Sequence, residues 1–219
     1  MLDLQLTHDT HRPPKLLCLG AHCDDIEIGC GGTILKLVKQ HPGIDVCWVV
    51  FGSTPVRARE ARRSALQFLG GAGTKKVIIR RFRDGFFPFQ GTAIKELFER
   101  IKSAYAPDIV LTHYRDDRHQ DHRMISDLTW NTFRDHMILE YEVPKYDGDL
   151  GIPNFFVQLD ESMCRQKVHH ILKHYASQKD KHWFTEDTFY SLMRIRGIES
   201  CSRGKYAEAF YCRKAVLRC

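Results

Sequence analysis

The sequence predicts an α/β protein, a mostly parallel sheet with helices packed on both faces. Three observations carry that reading. Short apolar runs recur without the polar alternation of a half-exposed strand. Segments with helical apolar spacing lie between them, and glycine and proline mark most of the joints. In chain order, residues 15–20 (KLLCLG) form a short buried strand closing on a glycine, and residues 31–40 carry helical spacing stopped by His41, Pro42 and Gly43. Residues 45–51 (DVCWVVF) are a second strand, and residues 57–69 a helix ended by Gly70 and Gly71. A short strand at 76–79 and an amphipathic helix at 92–105 follow, then a buried strand at 108–112 (DIVLT) introduced by Pro107. Beyond it, residues 122–137 read as a helix and 154–159 (NFFVQL) as a strand. Asp160 reads as the N-cap of a helix reaching about residue 175. A shorter helix is expected at 185–194, and a late strand accounts for the KYAEAF ending. Segments 83–91 and 142–153, with their Pro, Gly and aromatic residues, read as structured loops.

At 219 residues, 43% of them hydrophobic, the chain is read as a single domain, residues 1–219, able to bury its own core. No apolar window is long enough for a membrane span. The opening MLDLQLTHDTHRPPK lacks the basic-then-apolar order of a secretory signal. A cytoplasmic protein with no membrane partner is the expectation. Eight cysteines, at 18, 23, 30, 47, 164, 201, 212 and 219, form no CxxC pair and show no regular spacing, so they read as reduced thiols. The net charge of +6 is scattered, with Arg62–Arg63 and Arg80–Arg81 its densest points and no aromatic residues interleaved. That argues against a nucleic-acid partner; an anionic small substrate or mere solubility explains the charge equally.

Ligands of open parallel sheets bind beyond the carboxyl ends of the strands, and two polar segments fall there. The first, LGAHCDDIEIGCGG, follows the first strand. His22 and Asp25 are three apart, so a turn at the strand end can aim both at one ion, leaving Asp24 free to act on a bound water. Two plainer readings stand beside this one. GCGGT could cradle a phosphate, although it lacks the Walker lysine, and Asp24–Asp25 could simply favour the positive end of the next helix. Glu27 reads as a group supporting the ligands or as a helix cap, not as a ligand itself, and Cys23 as turned away by its neighbours. The second segment, THYRDDRHQDHRM, follows the strand DIVLT and packs His113, Asp116, Asp117, His119, Asp121 and His122 into ten residues. Alone it would be a solvated loop; at a strand end beside the first cluster, it makes a joint metal site.

The pair AHCDDIEIGCGG and HYRDDRHQDH resembles the signature of the PIG-L/LmbE zinc deacetylases, AHPDD followed by HPDH or HxDH. The DD-x-E-I-G and R-H-x-D-H forms and the ending RGKYAEAF are similar to the N-acetylglucosaminyl malate deacetylase class. The resemblance spans roughly residues 15 to 211. It implies a Rossmann-like three-layer sandwich of the LmbE type, and a zinc ion held by His22, Asp25 and His122. It also implies Asp24 as general base, and His119 as the oxyanion-stabilising histidine oriented by Asp121. Arg57 falls where the family has a substrate-contacting arginine. Homo-oligomeric assembly is implied as well. The chain departs from the pattern at Cys23 and Gln120, which stand in place of prolines, and in a short loop before Arg57.

The residue chemistry agrees with those roles. Two histidines and a carboxylate leave a coordination position open, as a catalytic zinc requires. Asp24 can take the proton of an attacking water, and His119, if protonated, can donate to the developing oxyanion, a contact typically worth about 3 kcal/mol. Asp121 is expected to raise the pKa of His119. The substrate implied is an N-acetylglucosamine-type sugar or conjugate. A nucleotide-linked or antibiotic-linked amino sugar would share the site and differ at the rim. A binding module without turnover would have lost the base, which this chain retains. Elsewhere, His169, His170 and His174 read as part of a surface helix, and Trp130 and Phe133 as core. Tyr206 and Glu208 read either as closing over the site or as ordinary strand residues. Arg194, Arg196 and Arg203 read equally as anion contacts or as solvated arginines.

Overall fold

The computed structural model describes residues 12–216; residues 1–11 and 217–219, hence most of the opening segment and Cys219, lie outside them. The chain forms β1 (Lys15–Gly20), α1 (Asp25–Gln40), β2 (Asp45–Gly52), α2 (Pro55–Phe68) and β3 (Thr74–Phe82). After a 3-10 turn (Phe87–Gln90) come α3 (Gly91–Ala104), β4 (Ile109–His113), α4 (Gln120–Thr132) and β5 (Met137–Tyr141). The chain continues through β6 (Phe155–Leu159), α5 (Glu161–His174), a second 3-10 turn (Ala176–Gln178), α6 (Glu186–Glu199) and β7 (Tyr206–Cys212).

All seven strands join one sheet in the order β3-β2-β1-β4-β5-β7-β6. The first five run parallel, and β7 lies antiparallel between β5 and β6. Strand residues alternate between two cores because successive side chains point to opposite faces. Leu16, Cys18, Val46, Trp48, Val50 and Leu111 belong to the cluster that includes residues of α1, α2, α5 and α6. Leu17, Leu19, Cys47, Val49, Phe51 and Val110 join Ile94, Leu97 and Phe98 of α3 and Ile125 of α4. With both faces covered, the strands carry continuous apolar runs. The α/β, three-layer expectation therefore holds.

Two element expectations change. The helix expected over 122–137 ends at Thr132, and residues 137–141 (MILEY) are β5, paired in parallel with β4. Their glutamate is tolerated in a buried strand because Glu140 accepts from Trp130 Nε1 (2.6 Å) and Arg213 Nε (2.7 Å). The first helix starts at Asp25, not at residue 31, but it breaks at Cys30 (φ −145°, ψ 18°). Two side chains from far along the chain satisfy the polar groups on either side of that break. Glu208 of β7 accepts from Gly32 N (2.8 Å) and Thr33 N (2.6 Å), capping the second part of the helix. Lys167 of α5 donates to Ile28 O and to Glu208, both at 2.7 Å. Glu208 thus lies behind α1 and does not close over the site.

The glycines of GCGG serve close packing, not phosphate binding. A Cβ on Gly29 would strike the Tyr141 ring, one on Gly31 would come within 2.7 Å of Phe68, and one on Gly32 within 2.5 Å of Leu159. Asp160 caps α5 as expected, accepting from Met163 N (2.8 Å). His170 is buried rather than on a surface face, edge-on to Phe68. Phe133 is core, and Arg196 is buried against Glu142. The seven described cysteines are free thiols. Among the described residues, no helix is long and apolar enough to cross a membrane.

Candidate metal centre

The strand order reverses between β1 and β4, since β2 and β3 lie to one side of β1 and β4 and β5 to the other. That crevice is where an open α/β sheet binds its ligand. The segment after β1 carries His22 and Asp25, and the segment after β4 carries His119, Asp121 and His122. The two motifs meet there, as their positions at strand ends require.

His22, Asp25 and His122, all buried, converge. His22 Nδ1 lies 3.2 Å from His122 Nε2 and 3.5 Å from Asp25 Oδ2, and His122 Nε2 lies 3.6 Å from Asp25 Oδ2. Tetrahedral bonds of about 2.0–2.2 Å put ligand atoms roughly 3.3–3.6 Å apart. The three atoms therefore already stand at the spacing of a bound metal's donors. The opposite nitrogens of both rings face carboxylates, as metal-binding histidines require. His122 Nδ1 is 2.8 Å from Asp117 Oδ2. His22 Nε2 is 3.1 Å from both Asp121 Oδ2 and Asp84 Oδ1. Burial would lower the His22 pKa, but hydrogen bonds to Asp121 and Asp25 raise it well above its ordinary value. His122, by contrast, is pushed down to about 4 by burial and the neighbouring His113 charge.

Asp24 stands beside this set, buried, at φ 127°. Its Oδ1 accepts from Arg57 Nη2 (2.7 Å), and its Oδ2 is buried with no partner among the described residues. Burial pushes its carboxyl up to about 7, against the pull of the Arg57 guanidinium. Arg57 sits in the first turn of α2, whose N-cap Thr54 accepts from Arg57 N. The same Nη2 also bonds Cys23 O. Arg57 therefore bonds Asp24, a contact that sequence reasoning did not supply.

Asp121 also departs from its expected partner. Its carboxylate accepts from Gly85 N (2.7 Å) and Phe87 N (3.1 Å) and faces His22, not the ring of His119. Gly85 adopts φ 77° to present that N–H, a backbone state glycine takes without penalty. What reaches His119 is the Asp121 backbone, whose N–H donates to His119 Nδ1 (3.2 Å). With Nδ1 accepting, the neutral ring carries its proton on Nε2. Burial and the neighbouring His22 charge lower the His119 pKa, outweighing the upward pull of Asp121. A His119 ring with Nδ1 accepting keeps Nε2–H as a donor when neutral, so donation from it does not require the protonated ring.

The two departures at proline positions stiffen the loops by hydrogen bonds. Cys23 Sγ donates to Gly52 O (3.5 Å), and Gln120 Nε2 bonds Gly85 O. Glu27 is buried away from the triad and accepts from Tyr175 OH (2.5 Å). Sequence reasoning passed over Asp84, and counted Asp117 and His113 in the second motif without giving either a role. Asp117 stood in the dense second motif, and a carboxylate five residues before a ligand histidine was the available signal. His113 Nε2 lies 3.2 Å from Asp25 Oδ2, and its ring stacks on His122 at 3.9 Å.

The fold and this site together define a class, open α/β proteins with a cluster of His and Asp side chains at the switch point that could hold a metal ion. The fold matches that of N,N'-diacetylchitobiose deacetylase from Pyrococcus horikoshii (TM-score 0.70, 23% identity, 90% of this chain and 83% of that one). It also matches GalB, a 4-carboxy-2-hydroxymuconate hydratase from Pseudomonas putida (TM-score 0.71, 16% identity, 94% and 98%), so fold alone does not fix the reaction. In sequence the chain is 30% identical over 186 residues to a protein of Escherichia coli K12 described as the uncharacterized deacetylase YaiS, covering 80% of this chain and 97% of that one. The family model PIG-L, described as GlcNAc-PI de-N-acetylase, matches residues 17–133. The chain belongs to the PIG-L family, and at family level it is a deacetylase.

Proposed function

We propose that the protein is a zinc-dependent N-deacetylase of an N-acetylglucosamine-type sugar or conjugate, working as a single domain. One observation carries the reading: the Nδ1, Nε2 and Oδ2 triangle of His22, His122 and Asp25, with the unpartnered Asp24 Oδ2 beside it. Two nitrogens and one carboxylate oxygen are a zinc donor set that leaves a position open. Zinc bound there would polarise the amide carbonyl and lower the pKa of a coordinated water to about 7.

The chain's own groups would do the rest. Asp24 Oδ2 accepts the proton as the water oxygen attacks the acetyl carbonyl carbon. His119 Nε2–H donates to the oxygen on which negative charge develops. The C–N bond then breaks, the proton taken by Asp24 passes to the departing nitrogen, and acetate and the free amine leave. Arg57 holds Asp24 in place, and its guanidinium is also suited to an anionic group on the conjugate. Homo-oligomeric assembly and action in the cytoplasm belong to the same reading.

Acetate release from N-acetylglucosamine conjugates, with and without zinc, tests it. Asp24→Ala is expected to keep bound zinc and to lose about 10²–10⁴-fold in kcat, while His122→Ala loses the zinc. Wild-type turnover in Asp24→Ala would remove Asp24 as the base, and full zinc stoichiometry in His122→Ala would remove that ligand.

A further inference from the structure

Residues 142–154 join β5 to β6 with no helix or strand of their own. Ordered connections of that length are uncommon and usually functional. The polarity of this one is inverted at six positions, although Val143 is buried and Asp147 exposed in the ordinary way. Tyr146, Leu150 and Ile152 are 75%, 45% and 92% exposed, whereas the side chains of Glu142, Lys145 and Asp149 are 3%, 12% and 6% exposed. Burial of apolar surface alone would arrange a surface loop the other way. The inward charges are held because of what they meet.

Glu142 fixes the two ends of the loop. It accepts from Arg196 Nη2 (2.8 Å), Tyr211 OH (3.0 Å) and Gly151 N (3.1 Å). Lys145 and Asp149 meet the second motif. Lys145 Nζ is 2.7 and 2.6 Å from the two Asp149 oxygens and 3.0 Å from Asp117 Oδ2. Asp149 Oδ2 accepts from Arg118 N (2.6 Å). Asp117 Oδ2 is the oxygen that faces His122 Nδ1, while its Oδ1 accepts from His119 N (2.8 Å). Every other bond to that carboxylate comes from its own segment, residues 119 and 122. Lys145 is the one contact among the described residues that ties it to another part of the chain.

We propose that Lys145 is a positioning residue of the metal centre: it holds Asp117 against His122 Nδ1, so that His122 Nε2 stays aimed at the ion, and residues 142–153 are the strap that delivers it. The proposal rests on the metal reading of His22, Asp25 and His122. It assigns the charged residues of a loop that touches no ligand to the control of metal affinity. A merely structural ion pair would influence stability and leave the zinc affinity of the folded protein unchanged.

The test is the zinc dissociation constant of the full chain, measured by competition with a chelator of known affinity. Loss of a group that supports a ligand typically costs 10–100-fold in metal affinity. Lys145→Met is expected to weaken zinc by about that factor, and Lys145→Arg to restore most of it. An unchanged constant in folded Lys145→Met overturns this proposal while leaving the metal reading intact. A wild-type protein that binds no zinc overturns both. Should Lys145→Met fail to fold, hydrogen exchange on the wild type decides, because coupling is reciprocal. Stripping zinc should speed exchange at the amides of Arg118, His119 and Gly151, and equal rates overturn the proposal.

Discussion

Asp24 holds φ 127° and ψ −21°, a region costing an L-residue of order 1–3 kcal/mol. The strain lies on the residue proposed for the proton transfer, between the strand end and Asp25, a proposed metal ligand. Such strain persists only where the surroundings fix it, and here Arg57 grips both the side chain and the preceding carbonyl. Two substitutions separate backbone from carboxylate. Asp24→Gly and Asp24→Ala both remove the base, but only glycine relieves the conformation. The glycine variant should therefore be more stable by about 1 kcal/mol in denaturant unfolding, with both variants losing about 10²–10⁴-fold in kcat. Equal midpoints would show that no strain is stored there. At this scale the sequence was partly legible. The two strand-end motifs brought the clusters together on paper, the family resemblance singled out His22, Asp25 and His122, and the structure brings those three side chains together. The partners of Asp121, Asp117 and Arg57 were not legible. Which ring nitrogen faces which carboxylate depends on side-chain rotation and on residues tens of positions away, such as Gly85 and Lys145.

Among the elements, α5 carries a test of burial. His170 packs edge-on against Phe68 of α2, and its Nδ1 is buried without a partner among the described residues. Burial, then the charges of His169, His174 and Lys173, lower its pKa from 6.5 to about 4. Because the folded value lies below the unfolded one, the unfolded chain takes up the proton first. Stability is therefore full above pH 6.5 and falls as the pH drops toward 4, by on the order of 2–3 kcal/mol from this residue. His170→Gln should flatten that part of the stability profile measured by urea unfolding. A profile of unchanged slope would mean that the site opens to water. The elements themselves were mostly legible, because non-alternating apolar runs and caps such as Asp160 are local signals. β5 was missed for an equally local reason. No glycine or proline separates Thr132 from Met137, and the apolar residues of MILEY continue the helical spacing before them. Only pairing with β4 makes them a strand.

For the whole molecule, the two motifs occupy opposite sides of the switch point, so an ion between them cross-links the two halves of the sheet. Ligands that bind only the folded state stabilise it by mass action. The melting temperature should therefore rise with free zinc and continue to rise above saturation, and His122→Ala should abolish the dependence. A zinc-independent midpoint in the wild type would exclude a folded-state metal site. The break in α1 has a consequence for how such a molecule comes into being. Helix α1 follows the first strand, yet the carboxylate that caps its second part, Glu208, is separated from Gly32 by 176 positions. A ribosome delivers residues in order, so the amides of Gly32 and Thr33 wait for their acceptor until the last strand has been made. Asp25, a proposed metal ligand, opens that same helix. The earliest part of the pocket to be synthesised is thus among the last to be secured, and nascent chains stopped before β7 should leave the ribosome with the ligands present but the helix beneath them unfastened.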